Sequence, residues 1–154
     1  MTITSNSEAR EIEVRFSGDP VIREYLGDVL ADVNRMGNWI KGLELLGSGL
    51  EFSLERALSS LAPQPSAASV RTPQDKLTVT YDEDANGGYL YLPYTAPASI
   101  ETDAQSNPLL LKSSYTIEDE KARFGLSTDK TLVSIRFTVP PAEDLEKFVK
   151  FFRS

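Results

Sequence analysis

The sequence predicts an α+β protein: two antiparallel β-meander units, each closed by an amphipathic helix, related by internal duplication and packed about a pseudo-twofold axis. Three observations carry that expectation. Short segments alternate apolar and polar residues, as in Glu11-Ile-Glu-Val-Arg-Phe16 and Lys76-Leu-Thr-Val-Thr-Tyr81, the period of a half-buried strand. Two other segments place apolar residues at i, i+3, i+4 and i+7, namely Leu54, Ala57, Leu58, Leu61 and Leu145, Phe148, Val149, Phe152, which is one face of a helix. The order of strands, hairpin and helix is the same on both sides of a Pro/Ser/Ala-rich stretch at 62–75 that has no periodicity and reads as a linker. The predicted units are therefore 11–61 and 76–153.

Taken in order, residues 1–10 are polar and read as a frayed end. Ile12, Val14 and Phe16 alternate inward, and Ser17-Gly-Asp-Pro20 is a turn cluster. Val21–Leu26 fits either a short strand or a helical turn. Val29–Val33 and Trp39–Leu46 make a hairpin about Asn34-Arg-Met-Gly-Asn38. A helix spans about Ser53–Leu61, with the Ser53 hydroxyl as its N-cap. After the linker, Lys76–Tyr81 and Tyr89–Leu92 flank Asp82-Glu-Asp-Ala-Asn-Gly-Gly88, whose Asn86-Gly87 pair is a strong hairpin signal. A polar, Pro-containing loop covers 95–108. Strands follow over Leu109–Ile117, Ala122–Leu126 and Leu132–Val139. Pro140-Pro141 stops the sheet and starts the C-terminal helix. In the duplication, Glu11–Phe16 aligns with Lys76–Tyr81, Val29–Leu46 with Phe124–Val139, and Leu54–Leu61 with Leu145–Phe152. The apolar faces of two such units are each other's natural cover.

Composition bounds the chemistry. The chain has 154 residues, net charge −7, no cysteine and no histidine. Hydrophobic residues are 40% and charged residues 25%, an ordinary globular balance that excludes bulk disorder. The acidic charge argues against nucleic acid, whose phosphates require Lys and Arg, and against an anionic membrane surface. The charge would favour a basic protein partner, and a solubilising surface is the simpler reading of it. Disulfides, thiolate nucleophiles, zinc sites of the usual kind and histidine acid–base chemistry are all excluded. The N-terminus carries neither a basic region nor an apolar run, and no segment has the ~20 apolar residues of a spanning helix. The sequence predicts a cytoplasmic protein.

Tyr81-Asp-Glu-Asp-Ala-Asn-Gly-Gly-Tyr-Leu90, and Asp32 with Gly37, Ile40 and Gly42-Leu-Glu-Leu-Leu46, resemble motifs of a family of small bacterial proteins, Domain of Unknown Function 2283. Its opening motif, roughly Tyr-Asp-x-x-Ala-Asp-x-x-Tyr-Ile, is similar to Tyr81-Asp-Glu-Asp-Ala-Asn-Gly-Gly-Tyr-Leu90, with Asn86 in place of Asp. Its closing motif is similar to Asp32, Gly37, Ile40 and Gly42-Leu-Glu-Leu-Leu46. The first motif is kept in the second half and the closing one in the first half, where two diverged copies would leave them. Ser134-Ile-Arg-Phe137 stands in place of the second closing motif. The resemblance implies a β-meander followed by a helix, and no activity.

Few constellations could carry chemistry. Asp82-x-Asp84-x-Asn86-Gly87 matches the start of a calcium loop. The twelfth position is Pro93 where a bidentate Glu is needed, and the flanks are strands. An acidic turn is the simpler account. Glu118-Asp-Glu120 could supply paired carboxylates, but a solvated strand end explains it. Trp39, Tyr89, Tyr91 and Tyr94 are aromatic candidates for partner binding, because Tyr and Trp are enriched at interface hot spots. Packing within a sheet is the alternative for all four. No catalytic residue and no cofactor is assigned. The expected function is a non-enzymatic, acidic protein-interaction module. Its rivals are a structural homodimer, and a carboxylate enzyme or calcium-binding protein.

Overall fold

The computed structural model describes residues 1–34, 40–46, 52–59, 61, 77–82, 86–93, 114–141, 143 and 145–150. The strands are β1 (Thr2–Asn6), β2 (Glu11–Arg15), β3 (Arg23–Asn34), β4 (Ile40–Leu46), β5 (Thr78–Asp82), β6 (Gly87–Tyr91), β7 (Ser114–Leu126) and β8 (Leu132–Thr138). The helices are α1 (Leu54–Leu58), after β4, and α2 (Leu145–Lys150), after β8. All eight strands join one antiparallel sheet in the order β1-β2-β8-β7-β3-β4-β6-β5.

This corrects the α+β expectation. Of the described residues 60% are strand and 10% helix, with no helix of seven or more residues among them, and the sheet curls as a half-barrel. The reason lies in where apolar area is buried. One face of the curled sheet supplies Ile12, Val14, Val29, Ala31, Leu43, Leu45, Val79, Leu90, Phe124, Ile135 and Phe137 to a single cluster. That face covers itself by curling, so the helices serve as short plugs rather than as a second layer. Leu54, Ala57 and Leu58 of α1, and Leu145 and Phe148 of α2, complete the cluster. The predicted spacing is met in α1 at Leu54, Ala57 and Leu58, and α1 closes at the Ser59 C-cap once that small face is covered.

The halves also do not stand as two meanders packed face to face. They join edge to edge and interleave. β2 of the first half pairs β8 of the second, β3 pairs β7, and β4 pairs β6. The proposed linker at 62–75 lies outside the described residues.

Several elements differ locally from expectation. Residues 2–6 form an edge strand on β2 rather than a frayed end. β3 begins at Arg23 and absorbs most of the ambiguous Val21–Leu26 stretch into one 12-residue strand. β7 runs unbroken from Ser114 to Leu126, so Glu118-Asp-Glu-Lys121 sits within a strand and not at a strand end. The register against β3 shifts between Gly27 and Val29 there, a bulge that lets the charged run stay in the ladder. Ser53 caps α1 as expected, its side chain accepting from the Arg56 backbone N–H at 3.4 Å. Among the described residues no helix is long and apolar enough to cross a membrane.

Candidate functional site

The face of the sheet opposite the core gathers the most distinctive polar contacts. Register places two rows across it. One row runs Thr80, Tyr89, Glu44, Leu30, Glu118, and the next runs Thr78, Tyr91, Gly42, Asp32, Thr116. Residues opposite one another in antiparallel strands share a face. In both rows the flanking positions, such as Leu43, Leu45 and Leu90, are buried on the other side.

Tyr89 does not stay in its own row. Its Oη donates to Asp32 Oδ2 at 2.5 Å, reaching diagonally across β4. Gly42 makes that path available. A Cβ built on Gly42 would run into the Tyr89 ring, lie 2.5 Å from the phenolic oxygen and 2.6 Å from the Leu90 carbonyl oxygen. A side chain at position 42 would thus displace the ring. Tyr91 leans on Tyr89 with ring centroids 4.5 Å apart and planes tilted by 50°, a favourable aromatic geometry. Both rings are half-buried, and Glu44 beside them is exposed.

The electrostatics are acidic. Burial raises the Tyr89 phenol well above its usual range, and the hydrogen bond to Asp32 and the charges of Asp32, Tyr91 and Glu44 push the same way. Tyr89 therefore remains neutral and acts as a hydrogen-bond donor. It is not matched to proton transfer near neutral pH. Burial lowers the Lys41 ammonium, while the Asp32 charge partly restores it. Lys41 is the extra residue of a bulge, where the ladder passes from Asp32–Gly42 to Val33–Ile40. Asp28, opposite Leu46, continues the acidic face along β3.

Of the four aromatic candidates, the structure brings Tyr89 and Tyr91 together. Trp39 and Tyr94 lie outside the described residues. For the calcium motif, Asp82 ends β5, and Asp84 is outside the described residues. Asn86 has a different use. It takes a positive φ of 45° at the hairpin turn. Its Oδ1 accepts from the Leu54 backbone N–H at 3.1 Å and the Tyr81 hydroxyl at 3.2 Å, and its Nδ2 donates to the Phe52 carbonyl at 3.3 Å. These bonds tie the hairpin to the start of α1 and account for Asn86 without a cation. Among the described residues no group of three acidic side chains is placed to hold a metal ion.

Sequence reasoning missed Asp32 and Gly42 as site residues. A signal existed for Gly42. A lone glycine within a strand pattern marks a bulge or a close approach, and both occur here. Asp32 stands in the closing motif, but no spacing marks its bond to Tyr89, which is 57 positions away in the chain. Comparison with family models, with curated proteins and with solved structures finds no match.

Proposed function

We propose that this chain is a non-enzymatic protein-interaction module whose outer sheet face, centred on Tyr89 and Tyr91, takes a basic protein. The observation that carries the reading is the paired rings at 4.5 Å set beside Asp32 and Glu44. Carboxylates attract Lys and Arg over distance and set orientation. Aromatic faces add cation–π attraction at contact. The net charge of −7 favours the same class of partner. A ring already fixed by Asp32 loses little freedom on binding, which lowers the cost of association.

The reading includes a cytoplasmic location, supported by the absence of cysteine, and kinship with the Domain of Unknown Function 2283 proteins, supported by the motifs at Tyr81–Leu90 and Asp32–Leu46. Capture of partners from an extract of the host by the tagged chain, with the mass of the complex measured in solution, tests it. A stoichiometric basic protein released by salt is the expected result. A second reading, a homo-oligomer without catalytic activity, has its own observation: Ile22 and Leu26 are 58% and 65% exposed near the start of β3. Light scattering that gives twice the chain mass with nothing else bound would favour it.

A further inference from the structure

The strand order reads alike from both edges of the sheet. From one edge it runs β1-β2-β8-β7, and from the other β5-β6-β4-β3. Exchanging each strand for the one four places away in chain order converts one series into the other. The corresponding strands match in length. β1, β2, β5 and β6 have five residues each, and β4 and β8 have seven. The edge strands begin Thr2-Ile-Thr4 and Thr78-Val-Thr80. This correspondence sets Thr2–Asn6 against Thr78–Asp82 and Glu11–Arg15 against Gly87–Tyr91, one strand away from the alignment the alternation suggested.

The contacts between halves recur in the same way. Arg10 and Asn86 close the two hairpin turns with positive φ of 51° and 45°. The Asn86 side chain donates to the carbonyl of Phe52, two residues ahead of α1. The Arg10 guanidinium donates to the carbonyl of Glu143, two residues ahead of α2, and also to the Pro140 carbonyl at 2.8 Å. Lys41 and Val133 are each the extra residue of a bulge. The Lys41 carbonyl accepts from the Leu92 N–H at 2.9 Å, and the Val133 carbonyl accepts from the Phe16 N–H at 2.7 Å. Leu92 and Phe16 follow directly on β6 and β2. In every one of these contacts the hairpin comes from one half and the acceptor from the other.

We infer that the two halves are each other's obligate partner, joined by exchanged hairpins. The β1–β2 hairpin docks on β8 and latches α2 through Arg10. The β5–β6 hairpin docks on β4 and latches α1 through Asn86. Without its visitor, each half would leave the β4 or β8 ladder unpaired and would lose one side of its core. For the first half the loss is Val79, Leu90 and Leu92, and for the second it is Ile12 and Val14. An open apolar edge of that kind is a pairing site for another strand. The partner each half fits is a hairpin–hairpin–helix unit of the same kind, and this chain carries it in cis.

A protease site placed within residues 62–76 of the full chain tests the inference. After cutting, the two fragments should elute together at the intact mass, melt in one transition and separate only in denaturant. Arg10→Ala and Asn86→Gly should each lower that one transition. Fragments that part under native conditions as two folded monomers would overturn the inference. So would two melting transitions, each moved by one variant alone. If the cut chain aggregates, native-state hydrogen exchange on the uncut chain decides. Amides of β2 and β8 should open at a common free energy with those of β4 and β6. Separate opening of β1–β4 and of β5–β8 as two units would refute it.

Discussion

The Tyr89 hydroxyl donates to the Asp32 carboxylate at 2.5 Å across the bare backbone of Gly42, linking β6 to β3 over the intervening β4. This one bond orders the aromatic pair. It also makes the outer face of the sheet sensitive to a residue that touches no partner.

Gly42→Ala tests that dependence. The added methyl would meet the Tyr89 ring and the Leu90 carbonyl oxygen. Backbone cannot yield cheaply, so the ring must move and the bond to Asp32 breaks. Overpacking of this kind costs about 1–3 kcal/mol. Chemical denaturation should show a loss in that range with unchanged slope, and the near-ultraviolet tyrosine signal should change.

Tyr89→Phe keeps the ring and removes the donor. A hydrogen bond to a charged group is worth about 1.5–3 kcal/mol, so a loss toward the lower end is expected at this half-buried site. The pH dependence is more specific. The folded phenol is held above its usual value of 10.0, so above about pH 10 the unfolded chain has lost a proton that the folded chain keeps. Its contribution is complete below that pH and is lost as pH rises toward the folded value. Lys41, held below 10.5 by burial, works in the opposite sense, and stability gained from it rises with pH up to about 10.5. That trend is common to both proteins. The difference between wild type and Tyr89→Phe should therefore shrink above about pH 10, as followed by urea midpoints from pH 8 to 11.

Much of this architecture was legible in the residues. The Asn86-Gly87 hairpin, the β3–β4 hairpin and the Ser53 cap followed from local chemistry, which a short segment carries within itself. The class did not, because helix length and sheet closure depend on what the rest of the chain covers. Residues 2–6 gave no alternation because an edge strand is wetted on both faces, and four of its five residues are exposed. Glu118-Asp-Glu-Lys121 looked like a strand end because charge density says nothing of a bulge. Tyr89 and Tyr91 were legible as aromatic candidates, whereas Asp32 entered through a long-range pairing that no spacing encodes.

Asn86 gives a third prediction. Asn86→Gly retains the left-handed turn but removes the bonds to Leu54, Phe52 and Tyr81. Loss of a capping side chain to glycine costs a few tenths of a kcal/mol, and the further bonds should raise that to about 1 kcal/mol. Thermal melting should fall by a few degrees, with no further change on adding calcium.

Leu90→Ala probes the shared core. Leu90 is fully buried and belongs to the single apolar cluster. Such truncations cost about 2–5 kcal/mol. Because the cluster spans both halves, the whole molecule should melt earlier in one transition, read by circular dichroism.

The claim that the Tyr89–Tyr91 face takes a basic protein is tested most directly by parallel capture from host extract with wild type, Glu44→Lys and Glu8→Lys chains. Glu44 is exposed beside Tyr89, and Glu8 is exposed in the β1–β2 turn, so both variants change charge equally and only one touches the face. The account predicts a basic protein retained by wild type and Glu8→Lys, lost by Glu44→Lys, and released from wild type as salt rises. Equal retention by all three chains, or no protein retained by any, would contradict it.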